Sequence, residues 1–256
     1  MIDKGRRRSG RSGGFLIPIA LVFGVFATAA APPARSAGAS EFYFEQSTVV
    51  RVDGKTRGEG VLSRVWYAGR RMRLEAGDVP GGPALLLRLD LAKAWRLDPE
   101  RKVATEMDAV RLRARSQMDA SLAGDLMGSS DERGVRTSAL KTPKTIAGHA
   151  CRGFRITGPS VVLDLYVAED MPVGIDAFAD FVEWSGAGQS MGGILDEVRK
   201  LPGFPLQTRS RVTVLDRVHE TVSTITKVQV GRQPRSLFEV PAGYRIEAEA
   251  PEPDQE

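Results

Sequence analysis

The chain has 256 residues with 36 basic and 32 acidic side chains, a length that allows one ordinary domain or two small ones. A hydrophobic share of 42% beside 27% charged excludes an intrinsically disordered chain. One cysteine excludes a disulfide framework, and two histidines leave little for a multi-histidine metal site. The charge is unevenly placed. Residues 1–39 hold six basic groups (Lys4, Arg6, Arg7, Arg8, Arg11, Arg35) against Asp3. The remainder has 30 basic against 31 acidic residues, a net of −1. The sequence pI of 9.4 therefore belongs mostly to the first segment, and no nucleic-acid partner is expected.

That first segment runs basic (Lys4 to Arg11), apolar (Phe15 to Ala31), then small, ending Ala37-Gly38-Ala39. The order is that of a secretory signal peptide cleaved after Ala39, with Ala29 as an alternative site. An uncleaved N-terminal anchor is the other reading, although the run is short for a span and contains Pro18. No cysteine follows the run to take a lipid. The expected product is periplasmic or secreted, with peripheral or no membrane contact.

Strand signals come next. Phe42 to Val52 and Val61 to Tyr67 are β-rich, and Arg71 to Glu75 alternates with Met72 and Leu74 on one face. Leu85, Leu87 and Leu89 continue the pattern, followed by Trp95 with Leu97 and by Val103 with Thr105. Asp98-Pro99-Glu100-Arg101 is a turn. Short strands joined by tight polar turns make an antiparallel meander. The period then changes. Met107, Val110, Ala114, Met118, Leu122 and Leu126 line one helical face.

Residues 131–148 are polar with weak alternation. Gly153 to Thr157 and Val161 to Ala168 read as a strand pair. Two short helices are expected over Ile175 to Ser185, with Phe178 and Phe181 on the apolar side, and over Ser190 to Lys200. The glycine-rich run Gly186 to Gly193 would join them flexibly. A hairpin follows, from Arg209 to Asp216 and from Thr221 to Val230, with Val222, Thr224, Thr226, Val228 and Val230 assigned to one face. Residues 247–256, with five acids and two prolines, read as a disordered tail. No repeat or linker divides residues 40–246, which read as one α+β domain with a curved antiparallel sheet and helices on one face.

Motifs for chemistry are sparse. No G-x-S-x-G, H-E-x-x-H, Walker-type or G-x-G-x-x-G pattern is present. His149 and Cys151 would share a strand face as a nucleophile pair or soft-metal ligands, but nothing nearby orients the histidine, and a buried structural cysteine is the commoner case. His219-Glu220 reads as a solvated turn pair. Asp176, Asp180 and Glu183 read as the wet edge of a helix. No cofactor is expected.

Several motifs carry a family resemblance. They are Tyr67 to Glu75, Trp95 to Glu100, Gly148-His149-Ala150-Cys151, Gly203-Phe204-Pro205-Leu206 and Leu237-Phe238-Glu239-Val240-Pro241-Ala242-Gly243-Tyr244. Their order resembles a family of secreted bacterial domains of unknown function with a C-terminal F-x-V-P-x-G-Y hallmark, itself similar to the LolA/LolB-like periplasmic lipoprotein carriers. That resemblance implies a half-open barrel whose concave apolar face is covered by helices, and non-catalytic binding of a lipid, a lipid-modified partner or another apolar ligand. Trp66, Met72, Leu74, Leu85, Leu87 and Trp95 on the sheet, with Phe178 and Phe181 above, are the expected lining of the cavity, and the protein is expected to be monomeric. Two alternatives stay open: an interaction or stress-sensing module with a filled core, and a hydrolase with an unrecognised site. The Phe238 to Tyr244 segment also has a local reading, as the closure of a core edge.

Overall fold

The structure is a computed structural model that describes residues 41–78, 80–107, 134–158, 161–171, 187–214 and 216–249. The expected leader, all but Met107 of the helix expected from Met107 to Leu126, the helix expected from Ile175 to Ser185 with Phe178 and Phe181, and residues 250–256 lie outside the described residues.

Among the described residues fourteen strands form one sheet: β1 (Glu41–Val52), β2 (Lys55–Thr56), β3 (Val61–Ala68), β4 (Arg71–Ala76), β5 (Ala84–Arg88), β6 (Lys93–Asp98), β7 (Val103–Met107), β8 (Arg136–Ala139), β9 (Lys144–Ile146), β10 (His149–Thr157), β11 (Val161–Ala168), β12 (Phe204–Val214), β13 (Arg217–Val230) and β14 (Arg245–Ala248). The spatial order is β14-β7-β6-β5-β4-β3-β1-β13-β12-β11-β10-β8, with β2 on β1 and β9 on β10. The expected meander is β3 to β7. Its seam with the second half is β1 on β13, the first strand against the next-to-last. All pairings are antiparallel except β14 on β7.

The α+β expectation shifts toward a sheet-dominated fold, because one α-helix, α1 (Ala187–Arg199), stands among the described residues. It starts earlier than expected, so Gly188, Gly192 and Gly193 lie inside it rather than in a flexible connection. A buried amphipathic face outweighs the cost of about 1 kcal/mol per helical glycine. Met107 ends β7 opposite Ala94 instead of opening a helix.

In an antiparallel sheet directly opposed residues share a face. Phe42 faces Tyr67, Phe44 faces Val65, Val65 faces Leu74, Tyr67 faces Met72, Met72 faces Leu87 and Leu74 faces Leu85. These side chains build the largest buried cluster and define the inner face. Two bulges bend the sheet. Glu45 opposes Lys227 while Gln46 opposes Ile225, which leaves Thr226 unpaired. Tyr166 opposes Gln207 while Val167 opposes Pro205, which leaves Leu206 extra. A bulge is where a strand tolerates proline, which has no N–H for the ladder.

The first bulge corrects the expected single face of β13. Val222 and Thr224 oppose Val49 and Ser47 on the outer side, whereas Ile225 and Val228 turn inward. The second bulge turns Phe204 and Leu206 into the inner cluster, with the Phe204 ring at 6.0 Å from Phe42 and 6.3 Å from Phe44.

Helix α1 sits on this same inner face. Ile194 and Val198 pack with Ile156, Leu163, Leu165 and Val167. Leu163 and Leu165 oppose Ser210 and Thr208, which oppose Thr221 and Ser223, which oppose Val50 and Thr48. That chain of pairings returns to the face of Phe42 and Phe44. Leu195 joins the larger cluster. At Gly158 an added Cβ would meet Ile194 Cδ1 at 3.2 Å, so glycine lets helix and strand turn approach closely.

Candidate ligand-binding face

The two sheet faces divide the chemistry. On the inner face of β1, β3, β4, β5, β11, β12 and β13 the register places no Asp, Glu or Lys and a single Arg, Arg217, at the hairpin end of β13. One part is apolar: Phe42, Phe44, Val65, Tyr67, Met72, Leu74, Leu85 and Leu87. Farther along β1, β3, β12 and β13 the same face turns to hydroxyls and an amide: Gln46, Thr48, Ser63, Thr208, Ser210, Thr221 and Ser223. Gln46, Thr48 and Ser63 are buried, and the four on β12 and β13 are half-buried. Gln46 Nε2 donates to Thr48 Oγ1 at 3.2 Å, and Thr48 Oγ1 bonds Ser223 Oγ at 2.9 Å across the β1–β13 seam. These bonds keep polar atoms satisfied in a region that excludes charge.

The residues expected to line one cavity are split. Met72, Leu74, Leu85 and Leu87 share the inner face, but Trp66 and Trp95 stand on the outer one. The reason is parity, since Trp66 opposes Arg73 and Trp95 opposes Leu86. Two tryptophans in strands read as core from sequence, and only the register tells which core. Met72 and Leu74 are 1% exposed and Leu87 2%, so their side chains touch protein on all sides.

The outer face has two halves. Over β3 to β7 it is apolar at Ala68, Ala84, Leu86, Trp95, Leu97 and Ala104, and Phe238 fills the centre of that patch at 0% exposure. Phe238 comes from a single 3-10 turn, Arg235–Phe238. Leu237, Val240 and Tyr244 pack beside it. Arginines clamp this strap. Arg88 Nη1 donates to the Phe238 carbonyl at 3.0 Å, Arg73 Nη1 to the Leu237 carbonyl at 3.5 Å, and the Arg71 guanidinium lies 5.2 Å from the Phe238 ring centroid. This is the closed core edge that the local reading of Phe238 to Tyr244 anticipates. β14 then pairs along β7 as far as Ala248, two residues into the segment that composition assigns to the tail.

Over β10, β11, β12, β13 and β1 the outer face is a charge ladder. Asp164 accepts from Arg155 Nη2 at 2.8 Å and Arg211 Nη2 at 3.2 Å. Glu220 accepts from Arg51 Nη1 at 2.9 Å and Arg209 Nε at 2.6 Å. Burial works against the charge of both carboxylates. The hydrogen bonds and charges of their arginines outweigh it and hold both pKa values below the ordinary range. Glu220 thus pairs with arginines rather than acting as a turn partner of His219. Neither the hydroxyl row nor this ladder was expected. Strand Ser and Thr read by default as solvent-facing, whereas the i, i+2 spacing of Arg209 and Arg211 was a usable signal.

The His149–Cys151 pair does not form a nucleophile site. His149 Nδ1 bonds Asp170 Oδ2 at 2.9 Å, while the thiol donates to the His149 carbonyl at 3.5 Å. Burial pushes the Cys151 pKa up, the reverse of activation. Among the described residues no three of His, Cys, Asp and Glu gather as a metal site, and no helix is long and apolar enough to cross a membrane.

A domain family matches residues 99–244, more than half of the chain. The chain belongs to the family described as a domain of unknown function, DUF4412. The DUF4412 segment takes in β7, α1, the strands of the ladder from β10 to β13 and the Phe238 strap, while Met72, Leu74, Leu85 and Leu87 precede it. No curated protein matches the chain. Among solved structures, PNGF-II is similar at 12% identity and TM-score 0.34 over 82% of this chain, which spans only 31% of that one. An uncharacterised conserved protein from Thermus thermophilus is similar at 8% identity and TM-score 0.42, over 83% of this chain and 92% of that one. A LolA superfamily protein from Nitrosomonas europaea is similar at 10% identity and TM-score 0.35, over 79% and 91%. Identities this low leave function to be argued from the chain's own residues.

Proposed function

We propose that this protein is a non-catalytic, monomeric binding protein of the cell envelope. It holds the apolar part of an amphiphile, the acyl chain of a lipid or of a lipid-modified partner, against the inner face. The observation that supports this reading is the gradient on that face, free of charge from Phe42 to Thr221 and passing from apolar to hydroxyl-lined. An acyl chain gains about 0.8 kcal/mol per buried methylene on the apolar part. An ester or amide head finds donors and acceptors at Thr48, Ser223, Thr208 and Ser210 without meeting a charge. The leader-like first segment supports export, and the motifs quoted above resemble those of a secreted family that is itself similar to envelope carriers.

The near-zero exposure of Met72, Leu74 and Leu87 supports the second reading, an interaction module with a filled core, since a ligand there must displace what already covers them. Native mass spectrometry of protein purified from the envelope separates the two. The carrier reading expects lipid masses on the protein. It also expects a fluorescent fatty-acid probe to bind, with Leu74→Asp abolishing binding and Thr48→Val weakening it several-fold in a folded protein. A bare protein that takes up no probe overturns it.

A further inference from the structure

We propose that the outer face around Arg209 and Arg211 docks the protein on an anionic, phosphate-bearing membrane surface. This surface lies opposite the face assigned to ligand, and the proposal stands independently of that assignment.

The ladder is not charge-balanced. Each of its two carboxylates is shared by two guanidiniums, so four arginines face two acids. The acids are the buried members, with side chains 8% and 11% exposed, whereas Arg51, Arg155, Arg209 and Arg211 are 39%, 40%, 45% and 34% exposed. Negative charge is thus held in the floor and positive charge reaches the solvent. The nearby exposed acids add nothing against it, because Asp53 is held by Arg217 and Glu169 by Arg152. Each guanidinium is a planar fork of N–H donors that reaches solvent, the geometry that takes a phosphate.

The layout selects the kind of anion. The four arginines are spread over five adjacent strands, about 19 Å at ordinary strand spacing, and do not converge on one point. A single small anion would touch at most one or two of them, whereas a surface that repeats its charges engages all four. Val49 and Val222 stand half-buried among the guanidiniums on the same face. Arginine stems and valines together make a surface that is apolar beneath and cationic above, as at a lipid interface. Nucleic acid would instead call for a row of aromatic platforms or a helix to enter a groove, and this face offers one half-buried ring, Tyr166, already covered by Lys144.

The test uses protein isolated in its natively processed form, so that any leader left on the chain is common to every variant. Co-sedimentation is measured with vesicles of phosphatidylglycerol and phosphatidylcholine, and with phosphatidylcholine alone. Binding is expected only to the anionic vesicles and falls as salt rises. Each arginine removed should weaken it about fivefold, so Arg209→Gln with Arg211→Gln together cost about 25-fold. Since either pair leaves one arginine on Asp164 and one on Glu220, the terminal pair Arg51→Gln and Arg155→Gln is measured as well, and Arg209→Lys with Arg211→Lys should keep most of the binding in a folded protein. Equal binding to both vesicle types, or no difference between wild type and both glutamine pairs, overturns the proposal. So does complete displacement by inorganic phosphate at matched ionic strength, which would mark a free-anion site, and so does tighter binding to duplex DNA than to vesicles.

Discussion

Cys151 shows how one side chain is disarmed by its surroundings. It opposes Ala168 on β11, is 1% exposed, and gives its only hydrogen to the His149 carbonyl. Burial favours the neutral thiol, and the thiolate is the reactive form. Native protein should therefore react with a maleimide far more slowly than protein unfolded in guanidinium, and Cys151→Ala should cost about 1–2 kcal/mol in chemical denaturation. Gly203 is decided at the same scale. Its φ of +115° is one that side-chain-bearing residues avoid, and an added Cβ would stand 2.2 Å from the Ala168 carbonyl oxygen. Gly203→Ala should lower the thermal midpoint more than any exposed Gly→Ala change such as Gly54→Ala, although both positions have positive φ.

Among elements, the strap is the most concentrated source of stability on the outer face. Phe238 is fully buried against Leu86, Trp95 and Leu97, so Phe238→Ala should cost about 3–5 kcal/mol by denaturation. Arg88→Gln should cost less, since it removes one charged hydrogen bond to the Phe238 carbonyl and leaves the buried ring in place. The strand sequence of the meander was legible because Met72, Leu74, Leu85 and Leu87 alternate with polar residues or lie in tight apolar runs between turn signals. The inward and outward assignment was not. Trp66 and Trp95 changed faces and β13 divided at Thr226, because parity depends on register and bulges that distant strands impose. α1 was recognised from Ile194, Leu195 and Val198, and its early start was hidden by glycines whose propensity burial overrides.

Across the whole molecule, charge is arranged by face. Asp164 and Glu220 have folded pKa values below their ordinary 3.8 and 4.5. A lowered carboxylate contributes stability that is complete above the ordinary range and is lost as pH falls through the lowered value. Glu45, held by the Tyr43 hydroxyl, and Asp90, held by Arg88, shift the same way. The thermal midpoint should thus stay level from neutral pH to about pH 5 and drop below about pH 4. In the double variant Asp164→Asn, Glu220→Gln that drop should be shallower, from a lower starting midpoint. The site was only half legible from sequence for a related reason. An apolar face announces itself by alternation, but a hydroxyl row such as Thr48, Ser223 and Thr208 looks like any wet strand until pairing turns it inward.

The strap that seals the outer face also sets a timetable. Trp95 and Leu97 leave the ribosome about 140 residues before Phe238 does, and β1 waits still longer for the whole of β13. Through most of synthesis the meander is a sheet with one bare greasy side and an unpaired border at β1, the state most open to joining a neighbour's strand. A chain ending just before Arg235 would keep that bare side permanently. Such a fragment should need a chaperone during transit and should form insoluble material when made without one, while the whole chain completes its last cover only after nearly every other residue has been delivered.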